Sequence, residues 1–163
     1  MNELYKRGYD NIWGFDVSQS GVEVAKKSFT DIQSRFTIHN GYETVLPDIF
    51  PLKDYDIVLS AEVIEHLYSP KTYLININTW LKQSGYLVLT TPYHGYFKNL
   101  AINLLDGFDK HANPLWEGGH IKFFSKKTIL KILHESGFNY VKFYGSGRLP
   151  YLWKSMIIVA RKI

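Results

Sequence analysis

The chain has 163 residues, of which 45% are hydrophobic and 16% aromatic, a composition that fits one globular domain and excludes a disordered segment. It contains no cysteine, which excludes disulfides, thiolate metal sites and cysteine nucleophiles. The net charge is only +4 and the lysines are spread along the chain, which argues against a nucleic-acid partner. No apolar run approaches the roughly 20 residues of a membrane-spanning helix, and the first residues lack a signal or transit pattern. We therefore expect a cytoplasmic protein without a transmembrane segment.

The first third of the chain predicts a strand, a helix and a second strand. Glu3–Lys6 has the pattern of the last turn of a helix, and the strand Asn11–Asp16 follows it. A helix is predicted over Ser18–Phe29, because the Ser18 hydroxyl can accept hydrogen bonds from the free amides of its first turn. Arg35–His39 is predicted as a shorter strand.

The middle third repeats this alternation. Tyr55–Ser60 (YDIVLS) is a continuous apolar run bounded by polar residues, as in buried parallel strands. Ser69–Lys82 is predicted as a helix with Pro70 near its first turn, and Gly85 is expected to turn the chain into the strand Tyr86–Thr91. Alternating strands and helices indicate an α/β fold with a parallel sheet that helices cover.

The last third begins with a stretch that breaks the alternation, Pro92–Gly119. Within it, Tyr96–Leu105 is amphipathic at helical spacing. It is either a helix that packs on the body of the domain or a lid over a binding site, since long insertions in compact domains are usually functional. A helix over Ser125–Ser136 follows. The strands Phe138–Tyr144 and Ser155–Arg161 are expected to form an antiparallel pair at one edge of the sheet.

Asp16 lies at the carboxyl end of a predicted strand, just before a helix. Ligands bind at that edge of open α/β sheets, and a carboxylate there can accept hydrogen bonds from both hydroxyls of a ribose. The alternative is a structural aspartate that caps the helix. In nucleotide-binding α/β units a glycine-rich loop lies roughly 20 residues before such an acid. That position falls before the first residue, so we expect the first strand and its loop to be missing.

Three residues after the strand Tyr55–Ser60 could bind a metal. Glu62, Glu65 and His66 are spaced i, i+3, i+4 and would share one face of a helical turn. Two carboxylates and an imidazole suit manganese, iron or zinc, and magnesium less well. Two alternatives remain open: Glu62 contacts a cofactor, or His66 is a packed residue or a general base.

Four segments, in this order, resemble class I S-adenosylmethionine-dependent methyltransferases: GFDVSQSGVEVAKK, YDIVLSAEVIEHLYSP, LKQSGYLVLTTPYHG and GGHIKFFSKKTILKILHESGF. The resemblance is strongest to the subgroup that contains ubiquinone-biosynthesis O-methyltransferases. It implies a Rossmann-like α/β sheet with the family's strand order 3-2-1-4-5-7-6, in which only strand 7 is antiparallel. The predicted strands supply strands 2 to 7. Because the family's acidic residue followed by Gly-x-Gly-x-Gly has no match here, residues 1–163 would form a single methyltransferase domain that is incomplete at its N-terminus.

The resemblance also implies where the cofactor S-adenosylmethionine would bind. Asp16 would bind the ribose, with Val17 against the adenine and Asn40 near the adenine edge. Ser60 and Ala61 would line the methionine end through backbone groups. Without the glycine-rich loop, we expect the 163-residue chain to bind this cofactor weakly or not at all.

On the acceptor side, residues 92–119 would form the lid over the acceptor site, and the resemblance implies that Tyr93 and His94 face the acceptor. In resembling families, including the small-RNA 2′-O-methyltransferases, an EVIEHL-like segment holds a divalent metal together with a later histidine. The catalytic candidates are accordingly Glu65, His66 and His120, as proton acceptors or, with Glu62, as ligands of an ion such as manganese or magnesium.

Three classes of function remain open. The first is methyl transfer from S-adenosylmethionine to a small or lipid-like acceptor, expected at oxygen; an RNA acceptor belongs here, although the modest charge argues against it. The second is a truncated, non-catalytic relative that binds a partner, because a missing strand leaves sheet edges to be covered. The third is a nicotinamide-dependent dehydrogenase, against which EVIEHL and the carboxy-terminal antiparallel pair both argue.

Overall fold

The structure is a computed structural model that describes residues 1–51 and 54–163. The chain divides into two compact units, Met1–Lys53 and Asp54–Ile163. None of the helices in the described ranges has the length and apolar character needed to cross a membrane.

The first unit is built around two short parallel strands. Its elements are α1 (Asn2–Lys6), β1 (Gly14–Asp16), α2 (Gln19–Ser28), a 3₁₀ helix (Thr30–Arg35) and β2 (Phe36–Ile38). The strand predicted over Asn11–Asp16 is shorter than expected, whereas α2 begins as predicted, because the Ser18 hydroxyl accepts a hydrogen bond from the amide of Gly21 at 3.1 Å. Strands β1 and β2 pair in parallel, with Asp16 opposite Ile38.

The second unit contains a four-stranded mixed sheet. Its elements are β3 (Tyr55–Ala61), a 3₁₀ turn (Ile64–His66), α3 (Pro70–Trp80), β4 (Leu81–Pro92), α4 (Tyr96–Leu104), α5 (Phe108–Ala112), α6 (Lys126–Glu135), β5 (Phe138–Ser146) and β6 (Ser155–Lys162). The strand order is β3-β4-β6-β5. Strands β3 and β4 are parallel, and β6 is antiparallel to both of its neighbours. This confirms the predicted antiparallel pair.

The core of the second unit lies between this sheet and helices α3 and α6. Helix α6 packs on β5 and on α3, and a capping box between Ser125 and Thr128 fixes its first turn. The helix and sheet side chains that meet there are completely or almost completely buried: Leu74, Ile77, Leu87, Leu89, Ile129, Leu133 and Ile158. Burial of each such side chain stabilises the fold by about 1.5–3 kcal/mol.

The junction between α3 and β4 differs from the prediction. Helix α3 ends at Trp80 and β4 begins at the next residue, so Gly85 lies inside the strand and is not a turn before it. The pairing with β3 jumps from Leu81 to Tyr86 at this point, which is a bulge on β4. Gly85 fits there because a Cβ would lie 2.9 Å from the carbonyl oxygen of Lys82.

Helix α4 forms where it was predicted but presents a different face to the protein. Of the two alternatives for this helix, packing of its apolar stripe on the body of the domain is not observed, since Phe97 is 59% and Leu104 is 75% exposed. The buried residue of this helix is Lys98, which is only 3% exposed. Its ammonium group donates a hydrogen bond to the carbonyl oxygen of Lys154 at 3.2 Å. This tertiary contact, and not the apolar stripe, fixes the rotation of α4.

Candidate active site

The turn after β3 separates Glu62 from the residues that follow it. Glu62 adopts a left-handed backbone conformation with φ of 52°, and its carboxylate accepts a hydrogen bond from the Thr90 hydroxyl at 2.9 Å. Its amide donates to the carbonyl oxygen of Thr90 at 3.1 Å. Only residues 64–66 form a helical turn, of 3₁₀ type. The expected common helical face of Glu62, Glu65 and His66 is therefore not present, because the left-handed residue turns Glu62 toward β4.

Glu65 is a buried carboxylate with one engaged and one free oxygen. The side chain is only 1% exposed, and Oε2 accepts a hydrogen bond from the Thr91 hydroxyl at 3.0 Å. Its other oxygen, Oε1, is buried and has no hydrogen-bond partner within residues 1–51 and 54–163. Burial is the main cause that raises the pKa of this carboxyl above its ordinary value. A buried carboxylate oxygen without a partner is costly unless a proton or a cation completes it.

Backbone hydrogen bonds bring the distant segment 119–122 to this turn. The carbonyl oxygen of Glu65 accepts from the amides of Ile121 at 3.0 Å and Lys122 at 2.9 Å. The Nδ1–H of His66 donates to the carbonyl oxygen of Gly119 at 3.1 Å. As a result, the rings of His66 and His120 lie with their centroids 5.0 Å apart.

Glu65, His66 and His120 each offer one ligand atom, and these atoms lie within 4.8 Å of one another. We call these three residues the Glu65 cluster. Three of the four residues predicted to converge therefore do so, and Glu62 stays outside the group. Two ligands of one ion at 2.0–2.2 Å each can be up to about 4.4 Å apart, so a small side-chain adjustment would bring the three donors to one ion.

The two imidazoles of the cluster can also present nitrogens to a metal. In the tautomer whose Nδ1–H donates to Gly119, the Nε2 of His66 is the free nitrogen, and it lies 3.9 Å from Oε1 of Glu65. Burial, followed by the neighbouring His66, lowers the pKa of His120, which favours the neutral imidazole that binds metals. One carboxylate and two imidazoles are a donor set for manganese, iron or zinc.

The first unit contains the residues expected to bind adenosine. Val17 and Asn40 line the same cavity, of about 410 Å³. Asp16 is the last residue of β1 and directly precedes Val17. Its Oδ1 accepts a hydrogen bond from the amide of Ser18 at 2.9 Å. The alternative role as a helix cap is not observed, because Ser18 caps α2 and the Asp16 carboxylate bonds to the backbone amide of that cap residue. This bond engages one carboxylate oxygen and leaves the ribose role a prediction.

Ser60 and Ala61 lie at the carboxyl end of β3, as predicted. The hydroxyl of Ser60 is buried and accepts a hydrogen bond from the Tyr73 hydroxyl at 2.9 Å, and burial raises the pKa of Tyr73 to about 12. The side chain of Ser60 thus belongs to the core. Contact of Ser60 with a ligand would therefore be made through its backbone, whereas Ala61 is exposed.

Tyr93 and His94 have different surroundings. The Tyr93 ring is buried edge-on against Trp153, with centroids 5.1 Å apart, so it is part of the packing. His94 lies beside Phe123, with ring centroids 5.0 Å apart, and its amide donates to the carbonyl oxygen of Phe124 at 3.0 Å. Burial, with help from the nearby cation Lys98, lowers the pKa of His94 to about 4.

Sequence reasoning missed several residues around the cluster. Thr91 holds the carboxylate of Glu65, Gly119 orients His66 through a carbonyl oxygen, and Trp116 lies edge-on to the His66 ring with centroids 6.1 Å apart. No sequence signal identifies the carbonyl of Gly119 as a hydrogen-bond partner. For Thr91, its position near the end of β4 could have suggested a role at the site.

Comparison with known proteins agrees with this architecture. A family model described as a methyltransferase domain matches residues 1–142, and no curated protein matches the sequence significantly. An S-adenosylmethionine-dependent methyltransferase from Mesorhizobium loti is 15% identical with a TM-score of 0.73, over 99% of this chain and 84% of that chain. The magnesium protoporphyrin IX methyltransferase ChlM from Synechocystis PCC 6803, solved with bound SAH, is 16% identical with a TM-score of 0.66, over 93% and 64%.

The [4+2]-cyclase SpnF is also similar, with 16% identity and a TM-score of 0.70 over 98% of this chain and 69% of that chain. At such identities these structures establish the fold, and the expected α/β methyltransferase fold is confirmed. The match to the family model extends over most of the chain and establishes the family. The chain belongs to the methyltransferase-domain family.

Proposed function

We propose that this protein transfers the methyl group of S-adenosylmethionine to an oxygen of a small or lipid-like acceptor, and that a divalent metal at Glu65, His66 and His120 assists the reaction. The observation that carries the proposal is the convergence of these three donors within 4.8 Å around a buried carboxylate oxygen that lacks a partner among the described residues. We place the enzyme in the ubiquinone-biosynthesis O-methyltransferase-like subgroup on the sequence resemblance.

The chemistry requires alignment and the removal of one proton. The sulfonium of the cofactor already activates the methyl group, so the protein has mainly to hold the acceptor oxygen in line with it. A divalent ion, when bound, would lower the pKa of the acceptor hydroxyl and orient it. Glu65 and His66 would offer Oε1 and Nε2 to the ion, and if the site works without a metal, Glu65, His66 and His120 are the candidates for the general base.

For the cofactor we propose the residues that the resemblance assigned. The cavity of about 410 Å³ that Val17 and Asn40 share would take the adenine. Asp16 would bind the ribose hydroxyls, and the backbone of Ser60 and Ala61 would line the methionine end. These residues leave the side chains of the Glu65 cluster available for the acceptor.

We propose residues 92–119 as the lid of the acceptor site. The end of this segment contacts the cluster directly, since Gly119 accepts the hydrogen bond from His66 and Trp116 lies against the same ring. Helix α4, within the segment, exposes an apolar face with Phe97 and Leu104. Exposed apolar surface at a lid supports a lipid-like acceptor.

A non-catalytic role as a binding module is the alternative, and one observation favours it. Strand β3 is an outer strand of its sheet and exposes Ile57 and Leu59. An outer strand with apolar side chains can pair with an added strand of a partner. This alternative predicts no metal dependence and no turnover.

The metal part of the proposal is tested by calorimetric titration of the 163-residue chain with MnCl₂ and ZnCl₂, which needs no cofactor. We expect one bound ion, with an affinity that falls more than about 100-fold in Glu65→Gln and in His120→Ala, because loss of even an outer-shell partner typically costs 10–100-fold. His134→Ala is the matched control, since this exposed histidine of α6 lies outside the cluster.

Failure to bind either ion would remove the metal and leave the methyltransferase assignment unchanged. Methyl transfer is then measured with and without chelator. Activity that resists the chelator but is lost in His66→Ala would identify a histidine base in place of a metal site.

A further inference from the structure

The turn that follows β2 contains a dipeptide with a reactivity of its own, Asn40–Gly41. Among the asparagines of the chain, Asn40 is the only one that precedes a glycine. It is exposed and lies in neither a helix nor a strand. A glycine at position 41 has no side chain to shield its backbone nitrogen. Attack of a backbone nitrogen on the preceding side-chain amide is therefore least hindered at this position of the chain.

The hydrogen bonds of the turn favour the same attack. Oδ1 of Asn40 accepts a hydrogen bond from the amide of Tyr42 at 3.1 Å, and the backbone carbonyl oxygen of Asn40 accepts from the amide of Glu43 at 2.9 Å. The first bond closes a small ring that contains both Cγ of Asn40 and the nitrogen of Gly41. It also places an N–H donor on the oxygen that gains negative charge when Cγ is attacked, and such a donor stabilises the transition state.

We propose that Asn40 is a modification site, which the chain itself converts into aspartate or isoaspartate. The nitrogen of Gly41 forms a bond to Cγ of Asn40, and the bond from Cγ to Nδ2 breaks. Nδ2 leaves as ammonia with the proton that the Gly41 nitrogen gives up. Water then opens the resulting five-membered succinimide at one of its two carbonyl groups, which yields the two products. The reaction needs no co-reactant other than water.

The modification would change the cavity that we assign to adenine, and this consequence rests on the proposed function. Asn40 and Glu43 both line that cavity of about 410 Å³. Because Oδ1 of Asn40 is bonded to the amide of Tyr42, Nδ2 is the group that Asn40 can donate to the ring nitrogens of adenine, which are acceptors. Deamidation replaces Nδ2 by an oxygen and adds a second carboxylate to the cavity. The modified chain should therefore bind adenosine more weakly.

The modification is measured by peptide mapping with mass spectrometry after the 163-residue chain has been incubated at mildly alkaline pH, both folded and in urea. We expect Asn40 to be converted in the folded chain at least as fast as in the unfolded chain, because the turn already holds the reacting atoms together. Asn11 is the internal control, since it is also exposed and outside helices and strands but precedes the β-branched Ile12. Asn40→Gln should stay unmodified, because its longer side chain would have to close a six-membered ring.

Slower conversion of Asn40 in the folded chain than in urea would overturn the proposal. Conversion of Asn11 at the same rate would overturn it as well, since the reaction would then depend neither on Gly41 nor on the turn. The measurement uses neither cofactor nor metal, so its result is independent of the proposed function.

The consequence is tested with Asn40→Asp, which carries the aspartate product permanently, by NMR titration with adenosine. We expect the affinity to fall by about tenfold, the contribution of one hydrogen bond. Asn11→Asp is the control for the added charge and should bind adenosine like the wild-type chain. Equal affinity of Asn40→Asp and the wild type would overturn the consequence. A wild-type chain that binds no adenosine would overturn it too, together with the assignment of the cavity to adenine, whereas the modification itself is decided by the mass spectra.

Discussion

The backbone carbonyl of Glu65 accepts a hydrogen bond from the amide of Ile121 at 3.0 Å. This bond and the one from Lys122 join two segments that are far apart in the chain. Glu65 thus binds the segment 121–122 through its backbone carbonyl and contributes its carboxylate to the candidate metal site. Because the docking is made by backbone groups, substitutions of the cluster side chains should leave the segment 119–122 in place.

Thr91→Val tests the partner that holds Glu65. The hydroxyl of Thr91 donates to Oε2 of Glu65 at 3.0 Å, and its loss would remove this donor from a buried carboxylate. We expect the free energy of unfolding of the metal-free chain to fall by about 1–3 kcal/mol, measured by urea denaturation. Manganese affinity should fall by roughly 10–100-fold, because the ligand is no longer oriented.

Thr90→Val is the matched control for this substitution. Thr90 is the neighbouring residue and its hydroxyl bonds to Glu62, which lies outside the cluster. We expect its manganese affinity to be unchanged. An equal loss of affinity in Thr90→Val and Thr91→Val would mean that Glu62 is a ligand after all.

Lys98→Met tests the buried ammonium group through the pH dependence of stability. Burial lowers the pKa of Lys98 from 10.5 to about 8, so between these values the unfolded chain binds a proton that the folded chain has released. The wild-type chain should therefore gain stability relative to Lys98→Met as the pH rises from about 8 to 10.5, by up to about 3 kcal/mol. Below pH 8 the difference should be constant.

The measurement is urea unfolding of both chains at several pH values. Other lysines and tyrosines titrate in the same range, but their contributions cancel in the difference between the two chains. Lys110→Met, at an exposed position of α5, is the control and should show no such slope. A difference that stays flat from pH 8 to 10.5 would mean that water reaches the ammonium group of Lys98.

Local signals and topology account for what could be predicted from the sequence. Ser125 and Gly137 mark the ends of α6 because capping depends on neighbouring residues only. The approach of His120 to Glu65 followed from the return of the chain to the carboxyl edge of β3. The positions of Glu62 and Lys98 could not be predicted, because a left-handed residue and a tertiary hydrogen bond overrode helical periodicity in each case.

Gly137→Ala and Gly8→Ala separate backbone strain from steric contact. Both glycines have positive φ, 84° and 87°, so each alanine costs about 1–2 kcal/mol for the left-handed conformation. A Cβ at Gly137 would in addition lie 2.9 Å from Nδ2 of Asn78, whereas nothing lies within 4 Å at Gly8. We expect Gly137→Ala to be the more destabilising in thermal unfolding, since it also disturbs the hydrogen bond from Asn78 to the Gly137 carbonyl oxygen. Equal losses would show that Asn78 moves aside freely.

Asp16→Asn tests the ribose role without removing the structural one. An asparagine oxygen can still accept the hydrogen bond that the amide of Ser18 donates to Oδ1, and the Ser18 hydroxyl still caps α2, so the melting temperature should hardly change. The amide offers one acceptor where the carboxylate offers two, and it lacks the charge. The dissociation constant for S-adenosylmethionine, measured by calorimetry, should rise roughly 10–100-fold, the equivalent of about 1–3 kcal/mol. Asp31→Asn, in the 3₁₀ helix, is the control for lost charge and should bind normally. If Asp16→Asn also binds normally, Asp16 serves only to accept the hydrogen bond from the amide of Ser18, and the ribose is bound elsewhere.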